Sequence, residues 1–214
     1  MQPNNPSTDQ GSASALSTRL QNPHHRMRVL VYLALGSMLL CQLFFDQAIY
    51  LRSVLWSQPW RLWTAHWVHI TPLHWLFNAA ALALLPEIFW RARPRLFVLL
   101  WLVLPVACSV MLWFLMPQLD AYAGLSGGLH GIYLALALDA IRSPVLAERR
   151  MGWLISAGAV GKVAFEAYSG SSQTAALIGA NVILQAHQYG VILGFLLYCT
   201  ERFTACVLFR HLSI

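Results

Sequence analysis

Charged residues are scarce in this sequence. Asp, Glu, Lys and Arg make up 10% of the 214 residues, apolar residues make up 58%, and the mean hydropathy is +0.56. Soluble globular domains carry about 25% charged residues. The shortage of charge therefore excludes an ordinary soluble domain and indicates a chain that lies largely within a membrane.

Cysteine is also scarce, and no two of the four cysteines have the spacing of metal ligands. All four fall within apolar stretches or near the ends that we assign below to the cytoplasm, where disulfides are rare. The sequence therefore argues against disulfides and against a cysteine-based metal site. The four residues are Cys41, Cys108, Cys199 and Cys206.

Three histidines, His66, His69 and His74, lie close together in the sequence. A zinc site is one interpretation of this cluster. It lacks, however, the two histidines four residues apart with an acidic neighbour that mark metalloproteases of the H-E-x-x-H type. We therefore predict no metal and no other cofactor.

Long apolar stretches are abundant, and six of them reach the length of about 17–20 residues that crosses a bilayer. They predict an all-α membrane protein, with one compact bundle of six transmembrane helices over residues 29–202. Residues 1–28 are rich in Ser, Asn, Gln and Pro, which predicts a disordered tail. Residues 203–214 are predicted to form a second tail. The predicted spans are 29–45, 72–89, 96–116, 125–141, 151–167 and 182–200.

The distribution of basic residues predicts the orientation of the bundle. Eleven of the 14 Lys and Arg residues fall on the side that holds both termini, so both tails are expected in the cytoplasm of a bacterial-type inner (plasma) membrane. A basic surface for nucleic acid is the competing reading of the net charge of +6, but the arginines are dispersed among loops. The eleven are Arg19, Arg26, Arg28, Arg91, Arg93, Arg95, Arg142, Arg149, Arg150, Arg202 and Arg210.

Four polar side chains are predicted to lie at similar shallow depth below the outer surface. Ser126 begins the fourth span, and His187 lies in the first turns of the sixth. His74 and Asn78 lie in the first turns of the second span, which also begins on the outer side. Because ionisable residues inside a membrane are costly and commonly functional, we interpret the four as one site.

A serine hydroxyl is a weak nucleophile that needs a base within hydrogen-bond reach. The neutral imidazole of His187 can accept the proton of Ser126 and return it to a leaving amine. Near the outer ends of these spans the acidic residues are Asp120 and Glu166. We expect a Ser–His dyad whose imidazole is held by packing, on Tyr133 or Tyr189, and not by a carboxylate.

These residues occur in motifs that resemble the rhomboid intramembrane serine proteases, in that family's order and over nearly all of the chain after residue 28. The resemblance implies a six-helix rhomboid-like bundle, with Ser126 and His187 as catalytic residues. It also implies an oxyanion site made by His74, Asn78 and the backbone N–H of Ser126. The matching motifs are Trp60-Arg61, His69 through His74-x-x-x-Asn78, Gly124-x-Ser126-Gly127 and Ala186-His187-x-x-Gly190-x-x-x-Gly194.

Finer detail resembles the rhombosortase branch of this family. Members of that branch are associated with proteins that carry a C-terminal Gly-Gly motif, a hydrophobic helix and a basic tail. The implied partners are therefore membrane-anchored protein substrates within the lipid bilayer, with no nucleic acid; the oligomeric state is left open. The features that carry this resemblance are Leu129-His130-Gly131 after the serine motif, Lys162-x-x-x-Glu166, and Trp60-Arg61-Leu62-Trp63-Thr64.

Glycines and one further histidine are interpreted as packing residues. Small residues let membrane helices approach closely, and four glycines are expected to bring the fourth and sixth helices together. His130, one turn after Ser126, is read as interhelical glue, with a proton-relay role as the alternative. The four glycines are Gly127, Gly131, Gly190 and Gly194.

Lys162 and Glu166 are four residues apart, so on a helix they share a face and can pair. A buried ion pair kept only for stability is often replaceable by apolar residues. One hypothesis is that the pair recognises the substrate; the other is that it is a structural ion pair.

Three rival functions are disfavoured. A catalytically silent rhomboid relative that escorts membrane proteins would lack the nucleophile or the base, and this chain has both. The G-x-S-x-G turn of soluble hydrolases needs a strand before the serine, where we expect a loop. A transporter would need acidic coupling residues in the bundle core, where only Glu166 lies.

Overall fold

The computed structural model describes residues 22–212 and is mostly helical. The predicted disordered tail falls largely on residues 1–21, which lie outside the described residues. Two short strands, β1 (Tyr50–Leu51) and β2 (Ala121–Tyr122), accompany the helices. The helices are α1 (Pro23–Leu43), α2 (Phe45–Ala48), α3 (Arg61–Thr64), α4 (Pro72–Ile88), α5 (Pro94–Leu115), α6 (Ser126–Ile141), α7 (Leu146–Ser169), α8 (Gln173–Ile178) and α9 (Leu184–Leu212).

Helix α1 begins earlier than predicted. Asn22 is its N-cap, the Asn22 side chain accepts a hydrogen bond from the backbone N–H of His24, and Pro23 is the first helical residue. Both residue types favour a helix start, because asparagine satisfies a free N–H and proline has none to satisfy. The predicted start at residue 29 was wrong because it followed the apolar residues and not the cap.

Helix α9 ends later than predicted, at Leu212. The expected tail 203–214 is therefore helical over most of its length. No glycine or proline follows Gly194 to interrupt the helix. The hydroxyls of Thr200 and Thr204 donate to carbonyls one turn back, which satisfies these polar groups within the helix.

Each of the six predicted spans corresponds to one helix, but these helices differ in length and composition. Among the described residues α1, α5 and the part of α9 from Leu184 to Val207 are long and apolar enough to cross a membrane. A fourth candidate is the pair formed by Arg61–Trp67 and α4, which is bent by 93°. Helix α6 is apolar but only 16 residues long, and α7 carries charged residues.

Helix α6 lies at the centre of the bundle. Ten of its 16 residues are buried, and it packs against α9, α7, α5 and α4. Helix α1 packs against α4 and α5. Because Ser126 is the first residue of this central helix, side chains from several other helices can surround it.

The segment that precedes α6 is fixed to the first connection of the chain. Strands β1 and β2 pair antiparallel, with Tyr50 opposite Tyr122. The backbone N–H of Gly124 donates to the carbonyl of Ala65, and the hydroxyl of Tyr122 donates to the carbonyl of Gly124. We expected a loop before Ser126, and this was wrong in part, because the segment contains the short strand β2. The sheet that holds β2 consists of β1 and β2.

Arg61 of the Trp60-Arg61 motif has a structural role in this connection. Its buried guanidinium donates to the carbonyls of Asp46 and Ile49 and to the side chain of Gln58. A guanidinium offers five donors in a fixed plane, so one side chain can hold several turns of irregular backbone. The motif therefore shapes the connection that holds the segment before Ser126.

Candidate active site

Ser126 and His187, which are 61 residues apart, form a hydrogen-bonded pair. The Ser126 Oγ lies 2.9 Å from the His187 Nε2. Ser126 is the first residue of α6, and His187 lies in the first turn of α9. This distance is that of a nucleophile and its base.

The approach of α6 and α9 sets this distance, and glycines allow it. A Cβ added to Gly127 would lie 2.7 Å from the carbonyl oxygen of Ala186. Added Cβ atoms on Gly190 and Gly194 would collide with the backbone of Gly127 and Gly131. The four glycines thus lie in one contact where the two backbones touch, which is the arrangement that small residues permit between membrane helices.

Gly124 serves a different contact. Its φ of +132° is one that side chains rarely allow, and an added Cβ would lie 2.7 Å from the Cε1 of His74. Glycine is therefore required here for two reasons, the backbone conformation and the packing of the imidazole. The first glycine of the motif places His74 against the backbone next to Ser126.

A carboxylate contacts the imidazole, so the expectation of a ring held by packing and not by a carboxylate was wrong. The Oε2 of Glu166 lies 2.7 Å from the Nδ1 of His187. The end of α7 and the start of α9 meet beside α6, which brings Glu166 to the base. Tyr133 does not hold the ring as expected, since its hydroxyl donates to the carbonyl of Ala81 and its ring packs against Phe89.

The two contacts of His187 define which nitrogen carries the proton. A carboxylate only accepts hydrogen bonds, so the Nδ1 of His187 is the donor to Glu166. The Nε2 of the neutral ring is then an acceptor, and the hydroxyl of Ser126 donates a hydrogen bond to it. This is the tautomer that a general base for Ser126 requires.

Both oxygens of Glu166 have partners, as a buried carboxylate requires. Glu166 is 4% exposed. Its Oε1 accepts from the Nζ of Lys162 at 2.5 Å and from the Oγ of Ser172 at 3.1 Å, while its Oε2 accepts from His187. The sequence-predicted ion pair therefore exists, but its carboxylate also contacts the base.

His130 packs against the base from the side of α6. Its ring stacks on that of His187 with centroids 4.2 Å apart and planes inclined by 24°. Its Nδ1 donates to the carbonyl of Ser126 at 2.7 Å. His130 therefore contacts α9 by stacking on His187, whereas its hydrogen bond to Ser126 stays within α6.

A cavity of about 290 Å³ adjoins Ser126 and His187. His74 and Asn78 of α4 both line it and are both largely buried. One N–H of the Asn78 amide donates to the carbonyl of His74 at 3.0 Å. An amide has two N–H donors, so the second is available to a group bound in the cavity.

Residues of the segment between α7 and α9 line one part of this cavity. Thr174 and Leu177 of α8, together with Val182, line it, and the hydroxyl of Thr71 donates to the carbonyl of Ile178 at 2.6 Å. The segment contains the short helix α8, and this hydrogen bond attaches its end to the start of α4.

A larger and mostly apolar groove runs from Ser126 between α4 and α7. Its volume is about 570 Å³. Two small residues of α7, Gly158 and Ala159, line the groove. Lys162 lines both the groove and the cavity. The lysine side chain is 40% exposed.

The remaining histidines of the cluster have separate partners. The Nε2 of His66 lies 3.0 Å from the Oγ of Ser109, and the Nε2 of His69 accepts from the backbone N–H of Leu125 at 3.3 Å. Within residues 22–212, His, Cys, Asp and Glu side chains do not form a group of three that could hold a metal ion. His69 instead helps to fix the residue before Ser126, a role that the sequence analysis missed.

A helical membrane protein with a serine, an imidazole and a carboxylate in hydrogen-bonded series is the class that this fold and site define. Residues 56–202 match the family model of the Rhomboid domain, and no curated protein matches the chain. The match covers more than half of the sequence, so the chain belongs to the rhomboid family. It is a multi-pass membrane protein of a family whose members are generally intramembrane serine proteases.

Proposed function

We propose that this chain is an intramembrane serine endopeptidase that cleaves membrane-anchored proteins near the outer surface of the bilayer. The observation that supports it is the 2.9 Å contact between Ser126 Oγ and His187 Nε2 beside a cavity and a groove. The rhomboid family assignment favours the same chemistry.

In this mechanism the Oγ of Ser126 attacks the carbonyl carbon of the peptide bond, and its proton passes to the Nε2 of His187. The tetrahedral intermediate collapses, the C–N bond breaks, and His187 returns the proton to the leaving amine. Water then attacks the acyl ester of Ser126, with His187 again acting as base. The products are a free carboxylic acid and the restored serine.

The negative charge of the tetrahedral intermediate needs hydrogen-bond donors. We assign this role to the side chains of His74 and Asn78 and to the backbone N–H of Ser126. His74 and Asn78 line the cavity next to the nucleophile, and within residues 22–212 the Asn78 amide uses one of its two N–H donors, on the carbonyl of His74. Such preorganised donors act where charge develops in the transition state.

We assign the groove between α4 and α7 to the helix of the substrate. Its small residues, Gly158 and Ala159, leave room for a second backbone, and it leads to Ser126. Lys162 borders both cavity and groove, which suits a role in substrate recognition near the cut. Glu166, the other member of this pair, contacts His187 as well as Lys162.

The proposed substrates are those of the rhombosortase branch, with a C-terminal Gly-Gly motif, a hydrophobic helix and a basic tail. By the positive-inside rule such a tail stays in the cytoplasm, so the Gly-Gly motif lies at the outer surface. Ser126 is expected at that depth if both termini of this chain are cytoplasmic.

The proposal includes six transmembrane helices. Three or four of the described helices are long and apolar enough by composition. Helices α6 and α7, which are outside that group, supply Ser126 and the Lys162–Glu166 pair. Polar residues in a span are expected where helices face one another and form a site.

The test is co-expression with a membrane-anchored substrate that carries the Gly-Gly, helix and basic tail. Ser126→Ala and His187→Ala should each abolish the shortened product while the protein still accumulates in the membrane. Because the residues act as a unit, the double variant should be no worse than either single one.

Ser109→Ala is a matched control, since the buried Ser109 also pairs with an imidazole, that of His66. It should retain cleavage, because this pair does not line the cavity described above. Substantial cleavage by Ser126→Ala would contradict the serine mechanism. If the wild type bound the substrate without cutting it, the silent escort protein would be the better account.

A further inference from the structure

Glu166 stands out among the buried ionisable residues because it contacts the base and a second charged group at once. We propose, on the basis of the function above, that Glu166 is a positioning residue that extends the Ser126–His187 pair into a catalytic triad. Lys162 partly balances the negative charge of the Glu166 carboxylate. The inference concerns how the base is oriented, and it adds no new bond-making step.

The geometry supports this assignment through the Nδ1 of His187. The 2.7 Å contact with Glu166 holds the ring at one nitrogen, and the 2.9 Å contact with Ser126 uses the other. Stacking on His130 limits rotation of the ring plane. With the carboxylate in place, the proton stays on Nδ1, and Nε2 faces the nucleophile in its basic form.

The carboxylate also stabilises the charge that forms during the reaction. When the Nε2 of His187 takes the proton of Ser126, the ring becomes an imidazolium beside Glu166. The Nδ1 proton stays on the ring, so the carboxylate acts by its charge and position and is not itself protonated. Such an interaction is stronger in a buried site than in water.

Lys162 has the opposite electrostatic effect on the base. Its ammonium contacts the Oε1 of Glu166 at 2.5 Å and partly offsets the negative charge that His187 experiences. His187 faces further titratable side chains from the other helices, His130 of α6 and His74 of α4, which line the same cavity. Removing Glu166 or Lys162 should therefore move the protonation of the base in opposite directions.

The experiment uses the full-length protein in detergent and a small fluorophosphonate probe. The Oγ of Ser126 forms a bond to phosphorus, fluoride leaves, and the serine proton passes to His187. This reaction needs the nucleophile and base but not recognition of a substrate helix. The rate constant of labelling is measured across pH for the wild type, Glu166→Gln and Lys162→Met.

Glu166→Gln should slow labelling by at least about 10²-fold, since losing the orienting carboxylate of such a triad can cost about 10⁴-fold. The acid limb of its pH–rate profile should move to lower pH, because the imidazolium loses its stabilising charge. Lys162→Met should move the acid limb to higher pH, because the opposing charge is gone. A purely structural ion pair would not give these opposite shifts.

Glu148→Gln is the matched control. Glu148 is an equally buried glutamate near the other end of α7, where it accepts from the hydroxyl of Ser143. This variant should keep the wild-type labelling rate and pH profile. Glu166→Asp retains the charge but shortens the reach by one methylene, and its rate should fall between those of the wild type and Glu166→Gln.

The proposed triad is wrong if the labelling rate constant of Glu166→Gln is within about threefold of the wild-type value and the acid limb of its pH–rate profile does not move. If that variant does not fold, an unmoved or lowered acid limb in Lys162→Met overturns the proposal on its own. Labelling or cleavage that persists in Ser126→Ala would overturn the proposed function instead. The two failures are therefore distinguishable.

Discussion

Two serine–histidine pairs in this protein show what a hydrogen bond alone does not determine. Ser126 pairs with His187 at 2.9 Å, and Ser109 pairs with His66 at 3.0 Å. The first pair borders a cavity and has a carboxylate at the far nitrogen of the ring, whereas His66 is fully buried. Access and the third partner therefore distinguish a candidate nucleophile from a packed polar contact.

The assigned oxyanion donors can be tested singly. Asn78→Ala and His74→Ala should each lower turnover by about 10²–10³-fold, the usual cost of one such donor, without abolishing it. The backbone N–H of Ser126 remains in both. Because the effect falls on the transition state, the KM for substrate should change little. If both variants cleave at the wild-type rate, these side chains only hold neighbouring helices together and do not stabilise the oxyanion.

At the scale of helices, the contact between α6 and α9 determines the site. Gly127 and Gly131 of α6 face Gly190 and Gly194 of α9 so closely that backbone meets backbone. Ser126 and His187 lie at the same end of this contact. A small change in the separation of the two helices would therefore act directly on the hydrogen bond between nucleophile and base.

Gly190→Ala should lower both the thermal stability and the cleavage rate. Its added methyl group collides with the carbonyl of Gly127, which is backbone and cannot rotate away. Overpacking of this kind costs about 1–3 kcal/mol, and the forced separation of the helices should add a loss of activity.

Gly36→Ala is the control for this prediction, because Gly36 lies within α1 and an added Cβ meets no atom within 4 Å. Alanine there should be neutral or stabilising, since glycine within a helix costs about 0.5–1 kcal/mol relative to alanine. Thermal unfolding in detergent and the rate of substrate cleavage measure both variants. If Gly190→Ala and Gly36→Ala had the same thermal stability and the same cleavage rate, the close contact at Gly190 would not be needed for either property.

For the whole molecule, the proposed mechanism requires the Ser126 end of the bundle to face outward. In the proposed six-span arrangement α7 connects the two sides. Arg149 lies near one end of this helix and Ser171 just beyond the other, and both are exposed. The Arg93 side chain pairs with Asp139 and Glu201 on the side opposite to the candidate site, where most arginines lie. This charge distribution favours a cytoplasmic position for that side.

Single cysteines in a variant without the four native ones test the orientation. Ser171→Cys should react with a membrane-impermeant maleimide on intact spheroplasts, whereas Arg149→Cys should react only after permeabilisation. Both should react in detergent, which controls for accessibility. The reverse pattern would place the Ser126 end in the cytoplasm and contradict the proposed site of cleavage.

The sequence by itself determined the properties that depend on local composition. Apolar stretches of sufficient length predicted where the long helices lie, because a helix that satisfies its own backbone needs no distant partner. Ser126 and His187 could be singled out because a nucleophile and a base are conspicuous inside apolar segments. Helix ends were less accurate, since Asn22 caps α1 through a single side-chain contact outside the apolar run.

Only the tertiary structure decided which of these groups meet. Lys162 and Glu166 could already satisfy one another on the same helix, so nothing in the sequence pointed to a second partner for the carboxylate. A carboxylate has two oxygens, and the fold brings one of them to the Nδ1 of His187. That contact depends on how the end of α7 packs against the start of α9, and packing between helices is set by the whole bundle.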